Sequence, residues 1–288
     1  MIEITHPENS SLSTLDQAAT QLSHLPHRVM MALGEPPMNL TGNTILITGG
    51  GSGIGRGLDE AFHALGNQVI IAGRRKHALD DTVAANPGMQ SLALDIENPS
   101  AIRDFAAQAT AQFPALNVLI NNAGIMRVEK LLAQQPNLDD AEAIVTTNLL
   151  GPIRLTAALL PHLQAQPAAT IVNVSSGLAF LPLSVTPTYC ATKAALHSYT
   201  LSLRYQLRST KTEVIELVPP YVQTDLMAGA KDPRAMPLAD FIAEVMQIFH
   251  TQPTPSEICV ERVKGMRFAA EAGKFEAIFQ GLNSSFEL

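Results

Sequence analysis

The sequence predicts an α/β protein: a doubly wound parallel sheet of about seven strands, with helices on both faces, in three α/β/α layers. Three observations carry this prediction. Short apolar runs alternate with longer amphipathic stretches from residue 44 onward, the rhythm of strand–helix–strand units joined by right-handed crossovers. The short runs are rich in Ile, Val and Leu and do not alternate apolar with polar, as expected of strands buried on both faces. The first run ends in a glycine-rich turn that leads directly into a helical pattern, a junction typical of nucleotide-binding sheets.

Taken in order, the apolar runs place strands at 44–48, 68–72, 91–94, 117–120, 169–174, 214–218 and 258–260. Helical patterns fall between them at 54–65, 76–85, 99–112, 138–164 and 188–209. The regular spacing through residue 218 leaves no linker, so 38–288 reads as one domain. The rhythm breaks over 219–257, which is rich in Pro and Met. A long excursion after a strand end suits a substrate lid, here near 225–256, although an ordinary surface insertion has the same composition.

Residues 1–37 read as an extension, mobile relative to that domain. Glu3, Glu8, Asp16 and Glu35 face the single Arg28, four acids against one base, a net charge of −3. The segment has neither the basic start and apolar middle of a secretory signal nor the Arg-rich, acid-poor make-up of a transit peptide. Residues 12–33 suggest a helix broken at Pro26. Regular patterning begins at Met38, an alternative start.

Composition excludes several function classes. The 288 residues are 46% hydrophobic and 16% charged, which rules out a disordered chain. Lys plus Arg number 19 against 26 Asp plus Glu, a net charge of −7. That balance repels phosphate backbones, and the absence of Trp leaves little to stack on bases, so no nucleic-acid partner is expected. Cys190 and Cys259 form no CxxC and the eight His form no HExxH, so no metal site is expected. Free thiols suit a reducing, cytoplasmic compartment. No apolar run approaches the roughly 18 residues that span a bilayer, so no membrane partner is expected.

The turn after the first strand reads Thr48-Gly49-Gly50-Gly51-Ser52-Gly53-Ile54-Gly55. Glycines admit positive φ and close approach of a ligand to the backbone, and a helix start offers free N–H groups to a diphosphate. The spacing is TGxxxGxG, not GxGxxG, whose third glycine would fall on Arg56. The second strand ends Gly73-Arg74-Arg75. An acidic residue there would accept from a ribose 2′-OH, whereas a nearby Arg suits a 2′-phosphate. Arg74 reads equally as a solvated surface charge, and Ser52 adds no second basic group on the loop.

Tyr189 and Lys193 form a YxxxK, and residues four apart share one helix face. An ammonium beside the phenol favours phenolate and lowers a pKa that starts near 10, which makes Tyr189 a usable acid or base. The pair is weak evidence alone. Its context is Ser176, thirteen residues earlier at the end of Ile171-Val172-Asn173-Val174-Ser175-Ser176, with Asn121-Asn122-Ala123-Gly124 and Asn148 upstream.

In these motifs and their order the chain resembles the short-chain dehydrogenase/reductase (SDR) family, from residue 39 to about 280. Pro219-Pro220 and the tail Glu261-Arg262-Val263-Lys264, with Ala277-Ile278-Phe279 after it, are similar to the DltE-like branch. The resemblance implies a Rossmann fold and four catalytic residues, Asn148, Ser176, Tyr189 and Lys193. Tyr189 would exchange a proton with the substrate oxygen, and Ser176 would hold that oxygen. Lys193 would hold the nicotinamide ribose and lower the Tyr189 pKa, and Asn148 would anchor a water linking Lys193 to solvent. Cofactor contacts would come from Thr48, Gly49, Gly51, Ser52, Gly53, Ile54, Gly55 and Arg74, from the adenine pair Asp95 and Ile96, and from Asn122, Ala123 and Gly124. Tyr189, Lys193, Pro219, Val222 and Thr224 would complete the nicotinamide end, with Pro220 where the family usually has Gly.

The implied activity is an NADP(H)-dependent oxidoreductase, a carbonyl reductase or alcohol dehydrogenase, with NADP(H) preferred over NAD(H). Leu178, Phe180 and Met227 would wall a pocket for a hydrophobic carbonyl or alcohol, though core packing explains the same residues. The long helices 138–164 and 188–209 would pair subunits into a homodimer or homotetramer. The competing reading is a non-catalytic NADP(H)-binding redox-sensing regulator, but such proteins usually lose the Tyr or Lys. An epimerase or dehydratase of the extended branch would need TGxxGxxG and a larger C-terminal domain.

Overall fold

A computed structural model describes residues 39–132, 138–227 and 232–285, all within one compact unit, Pro36–Leu288. The expected extension, with its broken helix, lies outside the described residues. The chain runs β1 (Thr44–Thr48), α1 (Gly53–Ala64), β2 (Gln68–Gly73), α2 (Lys76–Ala85), β3 (Gln90–Ala93), α3 (Pro99–Gln112) and β4 (Leu116–Asn121). It continues through α4 (Asp139–Val145), a π-turn (Thr146–Leu150), α5 (Gly151–Ala165), β5 (Ala169–Val174), α6 (Pro187–Leu207) and β6 (Thr212–Val218). It closes with α7 (Leu238–Phe249), β7 (Glu257–Cys259), α8 (Glu261–Arg267) and α9 (Phe275–Asn283).

All seven strands are parallel, in the order β3-β2-β1-β4-β5-β6-β7. Order reverses between β1 and β4, and ligands of such sheets bind in the crevice at that switch point. Every residue of β1 and β5 is buried, which is why those runs show no alternation. One face packs Ile45, Ile47, Val172 and Ile215 against Leu58 and Phe62 of α1 and Phe241, Val245 and Phe249 of α7. The other packs Leu46, Leu119 and Ile171 against Phe105 of α3, Leu155 and Leu159 of α5 and Leu203 of α6.

Local chemistry sets the helix starts. Asn98 caps α3 by accepting from the Ser100 and Ala101 amides, and Pro99 occupies the first turn, where its missing N–H costs nothing. Pro187 opens α6 in the same way. The stretch expected as one helix over 138–164 is interrupted by the π-turn Thr146–Leu150, a feature often found at functional sites. Asp139–Ala165 together span 27 residues and include an 18-residue window of mean hydropathy 1.4, long and apolar enough by composition to cross a bilayer. Leu155, Leu159 and Leu163 are instead buried against the sheet.

Part of the stretch expected as a lid is the helix α7. Residues 238–249 form a core helix whose Phe241, Val245 and Phe249 are fully buried. Its Ile242 lies so close to α1 that a Cβ on Gly57 would come within 2.7 Å of it. Pro at both flanks disguised an amphipathic helix as an irregular excursion.

One buried group works against the fold. Asp59 of α1 is fully buried beneath Gly50 and Ile71, and neither carboxyl oxygen has a hydrogen-bond partner. Burial, aided by Glu60, raises its pKa well above the usual carboxylate range. The folded chain therefore keeps a proton that the unfolded chain loses near pH 4, so this group's stability contribution falls as pH rises from there toward the folded pKa. Asp59→Ala is expected to stabilise the protein at pH 8 by about 1–3 kcal/mol, the cost of an unsatisfied buried polar group. The gain should shrink at pH 5. Denaturant unfolding at both pH values checks this, and an equal gain at the two would refute the assignment.

Candidate active site

The carboxyl ends of β1, β2, β4 and β5 open into a cleft of about 460 Å³, within the usual range for small-molecule sites. One wall is the predicted glycine turn, with Thr48, Gly49, Gly51, Ser52, Gly53 and Ile54 all facing the cleft. Gly49 and Gly53 have φ of +75° and +55°, a region that disfavours side chains. A Cβ on Gly51 would lie 3.0 Å from the Ala78 Cβ. Gly55 does not face the cleft. Its missing side chain lets the first turn of α1 sit on the Gly49 carbonyl, which a Cβ would strike.

The α1 N-terminus is left open toward the cleft. Ser52, its N-cap residue, makes no side-chain cap, and the first turn holds no acid. The unpaired amides and the positive dipole end there favour an anion. Ser52 Oγ instead accepts from Arg75 Nη2 at 2.8 Å. Both Arg74 and Arg75 line the cleft, but Arg74 is paired with Glu97, which also accepts from Thr147 Oγ1 at 2.9 Å. Arg75 is the residue the sequence reading missed, although the Arg-Arg doublet was its signal. This cradle of glycines, open amides and two guanidiniums fits a dinucleotide, including one with an extra phosphate.

The opposite wall is Asn122-Ala123-Gly124 and Ile96. Thr48 fastens it: its Oγ1 accepts from the Asn122 and Ala123 amides at 3.0 Å, while Asn122 Nδ2 donates to the Thr48 carbonyl at 2.9 Å. Asp95, expected as an adenine contact, is not among the cleft-lining residues. It is exposed, and its carboxylate accepts from the Glu97 amide at 3.1 Å.

Ser176, Tyr189 and Lys193 meet at the cleft floor, all buried. Tyr189 and Lys193 rise from one face of α6, and the ammonium lies 5.6 Å from the Tyr189 ring centroid. Lys193 Nζ donates to the Val174 carbonyl at 2.8 Å. Tyr189 and Ser176 are joined through their side chains. The expected pKa depression of Tyr189 is not what the structure favours. Burial raises it, and the Ser176 hydrogen bond only opposes that rise. Burial acts on Lys193 in the opposite sense and lowers it to about 8, with the Glu216 carboxylate pulling it back up.

Asn148 sits in the π-turn behind this floor, not on the cleft. Its Oδ1 accepts from the Ile125 amide and its Nδ2 donates to the Ile125 carbonyl, both at 2.8 Å. It therefore fixes the segment after Gly124 to the helix beneath. A second support also escaped the sequence reading. Glu216 of β6 is fully buried and its carboxylate accepts from His197 Nδ1 at 2.7 Å, and His197 is one turn beyond Lys193 on α6. A carboxylate inside the apolar run Val214-Ile215-Glu216-Leu217-Val218 was the available signal. His197, Glu216 and Glu257 are the grouped potential metal donors among the described residues. His197 binds only Oε2 of Glu216, whose Oε1 is buried without a hydrogen-bond partner, and Arg267 holds both oxygens of Glu257.

Beyond Tyr189 the cleft continues into an apolar pocket walled by Leu178, Leu183, Pro219, Pro220, Val222 and Leu226. Pro219 and Thr224 face both spaces, whereas Val222 faces only this one. Leu178 is where the sequence placed it. Phe180 is not: after the tight turn Gly177–Ala179 its ring packs against His197 at 4.7 Å and under Arg267 at 4.4 Å, away from the pocket. Met227 ends a short turn, Asp225–Met227, and its side chain lies outside the described ones.

Comparison with known proteins agrees with this geometry. A family model described as short chain dehydrogenase matches residues 43–235. The chain is 40% identical over 251 residues to the uncharacterized oxidoreductase DltE of Bacillus subtilis (strain 168), covering 86% of this chain and 99% of that one. Among solved structures, it is 25% identical to a short chain dehydrogenase from Burkholderia cenocepacia J2315 in complex with NADP, with a TM-score of 0.73 over 85% of this chain and 99% of the other. It is 26% identical to a 3-ketoacyl-(acyl-carrier-protein) reductase from Brucella melitensis complexed with NADH, with a TM-score of 0.67 over 76% and 96%.

Proposed function

Because the chain belongs to the short-chain dehydrogenase family, and so is an NAD(P)-dependent oxidoreductase, we propose that it interconverts a carbonyl and an alcohol. The observation that carries this reading is the buried Ser176–Tyr189–Lys193 group where the cleft meets the apolar pocket. The nicotinamide of a bound cofactor supplies or takes up the hydride. Tyr189, held protonated by burial, gives its phenolic proton to the substrate oxygen in reduction and recovers it in oxidation. Ser176 donates to the same oxygen and fixes it in place. The Lys193 ammonium carries the positive charge that offsets developing phenolate, and it is oriented by the Val174 carbonyl. Asn148 positions the floor through Ile125, and a water beside it would link Lys193 to solvent.

The preferred cofactor in this reading is NADP(H). Arg74 and Arg75, which follow β2, face the cleft, and Arg75 reaches Ser52 of the glycine turn; planar guanidiniums suit a phosphate monoester. Exposed Leu201 and Tyr205 on α6 suit the pairing of subunits into a homodimer or homotetramer. A cytoplasmic setting and a catalytic domain over 38–288 complete the reading. The regulator alternative finds no support in a site that retains Tyr189 and Lys193.

Three measurements test this. Tyr189→Phe should lower kcat for carbonyl reduction by about 10²–10⁴, the usual worth of a general acid, with NADPH binding by fluorescence retained. Normal turnover in that variant would end the mechanism. Arg75→Ala should raise the KM for NADPH about tenfold or more, as for a lost charge-assisted hydrogen bond, and leave that for NADH little changed. A native protein that prefers NADH many-fold would refute the 2′-phosphate assignment. Lys193 is charged below its pKa of about 8, so kcat/KM for NADPH should be level at neutral pH and fall as pH rises through about 8. A profile flat from pH 6 to 10 would show that this charge plays no part.

A further inference from the structure

We infer that the substrate carries its carbonyl or hydroxyl on an elongated, uncharged apolar tail that runs from Tyr189 between Met266 and Leu282 into a groove beneath α9. This rests on the carbonyl–alcohol reading and specifies its substrate class. The pocket next to Tyr189 is small, about 110 Å³, well below the 300–1,000 Å³ of sites that enclose a drug-sized ligand. It accommodates only the atoms nearest the reacting carbon. A second space of about 410 Å³ lies on the far side of three side chains, Tyr221, Met266 and Leu282, which line both. Those three form the constriction between an inner pocket and an outer groove.

The outer groove is built for apolar contact, and no described side chain fills it. Its other walls include Leu181 and Ile278. Helix α9 carries Phe275, Ile278, Phe279 and Leu282, yet none of its residues is buried. It is held at its far end by polar bonds: Asn283 Oδ1 accepts from the Ser184 amide at 2.6 Å, and Asn283 Nδ2 donates to the Pro182 carbonyl at 3.2 Å. An amphipathic helix tethered over a cavity leaves apolar surface for a ligand to cover. Met266 suits the constriction, since an unbranched thioether adapts to varied shapes. The charge at the rim is already matched. Arg234 binds Asp232 through Nε and Nη2 and donates from Nη1 to the Ser285 carbonyl at 3.1 Å. The groove thus selects length and apolarity without demanding an anionic end.

The test is a series of unbranched aldehydes from butanal to decanal, reduced with NADPH by the full chain. Each methylene buried in the groove adds up to about fourfold in kcat/KM, so decanal should exceed butanal by at least tenfold. Gly281 lines the outer groove and has open space where a Cβ would stand. Gly281→Phe should therefore cut the decanal-to-butanal ratio at least tenfold. Ile278→Asn, which makes one groove wall polar without enlarging it, should lower the ratio in the same direction. Butanal turnover with a ratio near one, or a ratio unchanged in both variants, would overturn the tail assignment and leave the carbonyl–alcohol reading standing. No turnover of any aldehyde, or of the matching alcohols with NADP+, would instead overturn that reading.

Discussion

At the seam between β1 and β4 the strand order reverses, so the chain leaves two neighbouring strands in opposite directions. The crevice that results is the space in which everything else is arranged. Thr48 keeps it from splaying, since one hydroxyl accepts from two amides of the facing wall while its own carbonyl accepts from Asn122. The glycines of the turn then serve different ends. Gly49 and Gly53 supply positive φ, whereas Gly55 admits the close seating of α1 that aims its open amides into the crevice.

The cleft floor shows how burial constrains the chemistry proposed for it. Tyr189 and Lys193 are both withdrawn from water, and desolvation moves their pKa values toward the neutral forms, up for the phenol and down for the amine. A neutral phenol is the right form for proton donation. A neutral amine is not the form that stabilises phenolate. The buried Glu216 carboxylate counters that loss from behind, and its bond to His197 ties it to the helix that bears Lys193. Two strands and one helix thus set the surroundings of one ammonium.

The apolar pocket and groove have a different origin from the glycine-turn end of the cleft. Their walls come from the turn after β5, the segment after β6, α8 and α9, pieces far apart in the chain that meet only because β5 and β6 are adjacent. Loops and terminal helices are less constrained by the sheet than its strand ends are.

The sequence by itself determined the seven-strand parallel architecture, the glycine turn and the serine–tyrosine–lysine grouping. Each of these is local: an apolar run with no alternation, a set of glycines at one junction, two residues four apart on a helix. Arg75, Glu216 and His197 were present as signals, a doublet and a charge in an apolar strand, but their partners are 19 to 23 residues away. Only folding decided that Arg75 would reach Ser52, that Phe180 would turn toward His197, and that Asp95 would stay off the cleft. It also decided that 238–249, within that Pro- and Met-rich stretch, would form a helix buried against the core. The physical reason is that periodicity encodes which faces are buried, whereas side-chain partnership and the burial that shifts a pKa depend on which segments the crossovers bring side by side.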